Sequence, residues 1–87
     1  MNTYIRKIEH QTGLKLKEAT KNEIGKTYWC GYWATTYTVL DITDNAIFGE
    51  SYKVKWADGH TTTHSTRFDP GYDFEVIGGV EQWKKYF

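Results

Sequence analysis

Ser51-Tyr52-Lys53-Val54-Lys55-Trp56-Ala57-Asp58-Gly59-His60-Thr61-Thr62-Thr63-His64 is the stretch that decides the fold. From Tyr52 to Trp56, large apolar residues alternate with lysines, the period of a half-buried strand. Asp58-Gly59 follows, a pair that accepts the positive φ angles of a tight turn. Thr61 to Thr63 then supply a residue type enriched in strands. The pattern predicts a β-hairpin closed by a two-residue type I′ turn. Ala57 would then pair with His60, Trp56 with Thr61, Lys55 with Thr62, Val54 with Thr63 and Lys53 with His64. Tyr52, Val54, Trp56, Thr61 and Thr63 would face the core, and Lys53, Lys55, His60, Thr62 and His64 would face outward. A slip of one residue on the lysine strand would bury its charges, so the pattern specifies the register.

Upstream, Thr36-Tyr37-Thr38-Val39-Leu40-Asp41-Ile42 reads as a strand and Thr43-Asp44-Asn45-Ala46 as a loop. Tyr28, Trp29, Tyr32 and Trp33 extend the strand-forming composition, with Gly31 marking a bend or bulge. Nearer the start, Met1, Tyr4, Ile5 and Ile8 fall on one helical face, which predicts a helix over about residues 3–12 ended at Gly13. Leu14 and Leu16 alternate as in a strand, yet residues 15–24 also tolerate a helix. The expectation there is an irregular or helical segment ending at Gly25. Downstream, Asp69-Pro70-Gly71 is a turn, Tyr72 to Ile77 a last strand, and Gly78-Gly79 a break. Val80, Trp83 and Phe87 match a final helical turn over about residues 80–87.

The chain is therefore expected to be one mainly β domain over residues 1–87. It would have an N-terminal helical segment over about 3–23, a barrel over about 24–77 and the short C-terminal helix. Several short strands joined by tight turns favour a barrel, which protects strand edges. Tyr37-Thr38-Val39-Leu40, Tyr52-Lys53-Val54-Lys55-Trp56, Asp58-Gly59 and Asp73-Phe74-Glu75-Val76-Ile77, in this order, resemble a small SH3-like or Tudor-like barrel, partly open. The chain is also similar to small bacterial or mobile-element domains for which no defined activity is implied. Such barrels serve protein, RNA and DNA partners alike, so the resemblance implies a shape and not a ligand.

Composition narrows the chemistry. With 87 residues, the core must be efficient, and four Trp, seven Tyr and four Phe provide large apolar areas from few positions. Eleven basic residues balance eleven acidic ones, without the excess expected of a dedicated nucleic-acid binder. The charge is nevertheless blocked: residues 1–29 carry +3, 30–50 carry −3, 51–67 carry +2 and 68–87 carry −2. Cys30 is the only cysteine, which excludes an intrachain disulfide and a cysteine zinc site and favours a reducing compartment. No apolar run approaches the ~20 residues of a membrane span, and residues 1–7 lack a signal-peptide core. Cytoplasm is the default, with no membrane partner.

Each candidate site has a plainer competitor. His60 and His64 stand four apart, a metal-binding spacing on a helix, but on a strand they lie about 13 Å apart, too far for one ion. Cys30 sits between Trp29 and Gly31, where a buried, inert thiol is the usual outcome. No phosphate loop, dinucleotide fingerprint or nucleophile elbow is present. Neither a metal, a cofactor nor a catalytic residue is expected. Tyr28, Trp29, Tyr32, Trp33 and Tyr37 are too dense for every ring to point inward. Bulges aside, Trp29, Trp33 and Tyr37 share one parity and Tyr28 and Tyr32 the other, so one set fills the core and the second either forms a platform or groove or is covered by the N- and C-terminal helices. The hairpin face with Lys53, Lys55, His60, Thr62 and His64, joined by Arg67, is the best basic patch, although alternating lysines also keep sheets from sticking together.

The sequence thus points to a non-enzymatic binding module. Its expected binding residues are Lys53, Lys55, His60, Thr62, His64, Arg67, Tyr28, Tyr32 and Trp33. Zero net charge and the acidic blocks favour a protein partner, with nucleic acid as the alternative and a small enzyme as a distant third. An exposed Tyr/Trp patch leaves a homodimer open.

Overall fold

The computed structural model describes residues 3–47 and 49–79, and the final helical turn expected over 80–87 lies outside them. Among the described residues one helix and six strands follow in order: α1 (Thr3–Thr12), β1 (Lys15–Lys17), β2 (Thr27–Cys30), β3 (Thr35–Asn45), β4 (Gly49–Trp56), β5 (Thr61–His64) and β6 (Asp73–Gly78). The strands form a single antiparallel sheet in the order β1-β6-β2-β3-β4-β5. The mainly β class holds, while the sheet stays open, with β1 and β5 as its two edges.

The helix ends where Gly13 takes φ 78° and donates its N–H to the Glu9 carbonyl at 2.8 Å. Beyond it, the helical segment expected to reach residue 23 is replaced by β1. The alternation of Leu14 and Leu16 prevails because β6 offers a partner to the extended chain and Glu9 accepts the Leu16 N–H at 2.9 Å. Ile5 and Ile8 of α1 pack on Leu14, Leu16, Trp29 and Phe74, forming the core on one face of the β1-β6-β2 end.

A second core lies on the opposite face: Tyr28, Cys30, Tyr37, Val39, Val54 and Trp56, flanked by Ala19, Ile42 and Phe68. Tyr28 and Tyr37 are cross-strand partners with centroids 5.5 Å apart. The Tyr28 hydroxyl accepts from the Glu23 N–H at 2.8 Å and donates to the Lys21 carbonyl at 3.2 Å, pinning the irregular 18–24 segment over this core.

Two further corrections concern β3 and the hairpin. Residues 43–45, expected as loop, continue β3, because Thr43, Asp44 and Asn45 pair with Ser51, Glu50 and Gly49 in a two-stranded ribbon. A bulge between Val39 and Asp41 restores the phase that puts Ile42 beside Val39's core. At the deciding hairpin the loop holds three residues. Trp56 donates to the His60 carbonyl at 2.9 Å, and Gly59, at φ 98°, donates to the Trp56 carbonyl at 2.9 Å. This is a turn followed by a left-handed glycine, the other loop that Asp-Gly serves. The register consequently pairs Lys55 with Thr61, Val54 with Thr62, Lys53 with Thr63 and Tyr52 with His64. Every β5 side chain therefore lies on the face opposite to the expected one.

Candidate functional site

Trp56 closes β4 opposite Tyr37, with ring centroids 5.3 Å apart. The Arg67 guanidinium, from the segment between β5 and β6, lies 5.1 Å from the Tyr37 centroid and 5.2 Å from that of Trp56. Planar and weakly hydrated, a guanidinium suits such stacking. It also donates to the Cys30 Sγ at 3.3 Å and stands 3.8 Å from Asp73 Oδ2. That carboxylate oxygen accepts the Tyr37 hydroxyl at 2.6 Å, and Asn22 Nδ2 donates to the same hydroxyl at 3.0 Å. Burial pushes the Asp73 carboxyl above its usual range, while burial and then the neighbouring carboxylate push the Tyr37 phenol up. The cluster is a largely buried polar floor beneath Trp56.

Above that floor, β5 presents Thr62 and His64 on the face of Trp56. The indole Nε1–H donates to Thr62 Oγ1 at 2.7 Å, and the same oxygen lies 2.6 Å from His64 Nε2. His60 stacks on the indole at 6.2 Å and 18°, and His64 meets it edge-on at 6.2 Å and 76°. Burial, then the Arg67 charge, lowers the His64 pKa, so its imidazole is neutral near pH 7. His60 contacts Asp58 through Nδ1, and its backbone N–H is the main group holding the Asp58 carboxyl below its usual range.

Across from this wall, residues 31–34 form the turn between β2 and β3, as Gly31 foretold. It projects Tyr32 and Trp33, which are 72% and 63% exposed and packed edge to face at 5.1 Å. Trp33, Thr35, Trp56, Asp58, His60, Thr62 and His64 together line a cleft of about 490 Å³. Its walls are mainly aromatic, with a few convergent polar groups, the usual make-up of a binding cleft.

The expected patch is thus divided. Trp33, His60, Thr62 and His64 meet at the cleft, with Tyr32 at its margin. Lys53 and Lys55 lie on the other face of the sheet, alongside Thr61 and Thr63. Arg67 is no surface cation, because it is stacked under Trp56. Tyr28 is fully buried and serves the core. The expected parity of Trp29, Trp33 and Tyr37 fails because the 31–34 turn resets it: Trp29 fills the α1 core, Tyr37 the opposite one, and Trp33 neither. The sequence reading missed Trp56, Thr35 and Asp58 as cleft residues. No sequence signal would have found them, because the Asp58-Gly59 pair does not set the loop length that brings β5 onto the Trp56 face.

Among the described residues no group of three or more His, Cys, Asp or Glu could hold a metal ion, and no helix is long and apolar enough to cross a membrane. Comparison with protein families, curated proteins and solved structures finds no match to the chain.

Proposed function

We propose that the chain is a non-enzymatic binding module on an SH3-like scaffold, engaging a protein partner through the cleft between Trp33 and Trp56. The scaffold reading draws support from the order β6-β2-β3-β4-β5, a meander whose last strand returns beside its first. The observation that carries the function is the cleft's lining: three histidine or tryptophan rings around Trp56, one carboxylate from Asp58, and no Lys or Arg. A nucleic-acid backbone would find no cation there to replace its counterions. An apolar or aromatic side chain from a peptide finds rings to stack on and, in Asp58, an acceptor at the rim. The lysines that were to supply phosphate contacts sit on the other side of the sheet, out of concert with the aromatics. Cys30, the strongest potential nucleophile, is buried with its thiol pKa raised by that burial, which supports a role other than catalysis.

Titrating ¹⁵N-labelled protein with a degenerate eight-residue peptide mixture, and separately with short DNA and RNA, tests this reading. The expected result is peptide-induced shifts at the Trp33 and Trp56 indoles and at His64, insensitive to salt and weakened about tenfold by Trp33→Ala. Salt-sensitive oligonucleotide shifts centred on Lys53, Lys55, Thr61 and Thr63 would replace it with the nucleic-acid reading, for which those four residues share one face. Tyr32 and Trp33 shifts that track protein concentration alone would mean a homodimer.

A further inference from the structure

The two edges of the sheet differ. β1 is three residues long, carries Lys15 and Lys17, and has its Leu16 N–H taken by Glu9 at 2.9 Å. Short length, lysines and a covering helix are ways of closing an edge to other chains. β5, at four residues hardly longer, is Thr-Thr-Thr-His without Lys, Pro or a bulge; Thr61 and Thr63 are exposed, and α1, the one helix among the described residues, packs at the other end of the sheet.

The hydrogen-bond phase follows from the turn. Trp56 donates to the His60 carbonyl, so 56 and 60 form a bonded pair, and bonded and unbonded pairs alternate along an antiparallel ladder. Val54–Thr62 and Tyr52–His64 are then the bonded pairs. Thr61 and Thr63 turn their N–H and C=O groups away from β4, toward the open edge. Among the described residues no strand lies beyond β5 and no backbone group bonds to those positions.

We infer that an extended segment of a protein partner adds antiparallel to β5 as a seventh strand, alternating large apolar with acidic residues. The inference rests on the reading of the cleft as a protein-binding site. An added strand would lie about 4.8 Å beyond β5. Its side chains opposite Thr62 would emerge on the Trp56 face, beside the cleft. Those opposite Thr61 and Thr63 would emerge on the other face, toward Lys55 and Lys53, which are their partners on β4. Asp41 neighbours Lys53 from the β3 side, away from the edge, so Lys55 is the better receiver of a carboxylate. Main-chain bonds along the edge give affinity, and the cleft on one side and the lysines on the other choose the sequence. The partner is therefore amphipathic with a period of two.

The test uses an acetylated, amidated seven-residue peptide alternating tyrosine and glutamate, and the same peptide N-methylated at every glutamate. Glutamates opposite Thr61 and Thr63 turn their N–H groups toward β5 in the antiparallel arrangement, so methylation removes those bonds alone. The inference predicts shifts at the Thr61 and Thr63 amides and at the Trp33 and Trp56 indoles with the first peptide, and binding weaker by at least about tenfold with the second. Thr63→Pro, which deletes only an outward N–H on an edge strand, should weaken the first peptide while leaving the rest of the spectrum in place. Equal binding of both peptides at the indoles would overturn strand addition and leave the cleft reading standing. Absence of binding by the first peptide would overturn the inference alone, because the degenerate mixture tests the cleft separately. Protection of the Thr61 and Thr63 amides that rises with protein concentration, without peptide, would assign the edge to a second copy instead.

Discussion

At the β1 end the sheet is two layers deep, whereas at the β5 end it bears a wall of the cleft on one face and only polar side chains on the other. α1 covers the first end with Ile5 and Ile8 and closes its edge through Glu9. Nothing among the described residues covers the lysine–threonine face of β4 and β5. Helix packing is therefore confined to one end and the cleft proposed for recognition lies at the other, a division that leaves an open edge while a second core around Tyr37, Val39 and Val54 runs beneath the middle strands. Tyr28, Tyr37, Asp73 and Arg67 link the two, because they join the middle strands to the floor of the cleft.

Substitutions at the two ends sharpen or break this contrast. Leu16→Ala, in the α1 core, should cost about 2–5 kcal/mol in urea unfolding. Thr63→Ala, on the open face, should stay within about 0.5 kcal/mol. Similar losses at both positions would contradict the division. Gly59→Ala should cost about 1–2 kcal/mol, since its φ of 98° is strained for any residue with a side chain. The same substitution should loosen the cleft, read as weaker cross-peaks between Trp56 and Thr62. Glu9→Gln exchanges a charged acceptor of the Leu16 N–H for a neutral one and should cost about 1 kcal/mol, seen as faster amide exchange confined to Leu16 and its neighbours.

The smallest effect concerns pH. His64 is held below its ordinary 6.5 by burial and by Arg67. The unfolded chain therefore binds a proton that the folded chain resists, and stability rises with pH across that window. The contribution is full above 6.5 and is lost as pH falls toward the depressed folded value. Asp73 works in the opposite sense above its ordinary 3.8, because burial raises it. The difference between wild type and His64→Gln in thermal unfolding at pH 7 and pH 5 isolates the histidine: the wild type should lose more on acidification.

What was legible in the sequence depended on whether a segment carried an apolar pattern. Tyr52, Val54 and Trp56 alternate with Lys53 and Lys55, and the faces of β4 followed directly. Asp58-Gly59 located the turn, but that pair serves loops of three residues as well as of two. Thr61, Thr62 and Thr63 are chemically identical, so β5 held nothing to choose between the registers, and both fitted the lysines of β4. That one unmarked residue moved Thr62 and His64 from the basic face to the cleft. Residues 43–45 were misread for a related reason: a two-stranded ribbon in solvent needs no apolar alternation, and Thr43-Asp44-Asn45 shows none. The second layer was legible through Ile5 and Ile8, whereas Glu9 as the cover of an edge depends on a tertiary contact with no sequence signature.

Which β5 residues share a face with Trp56 decides whether the cleft exists. A NOESY spectrum of labelled protein decides it. Cross-peaks from the Trp56 indole N–H to the Thr62 methyl group and the His64 ring are the predicted result. Cross-peaks to Thr61 and Thr63 in their place would restore the two-residue turn, return His64 to the lysine face and dissolve the cleft.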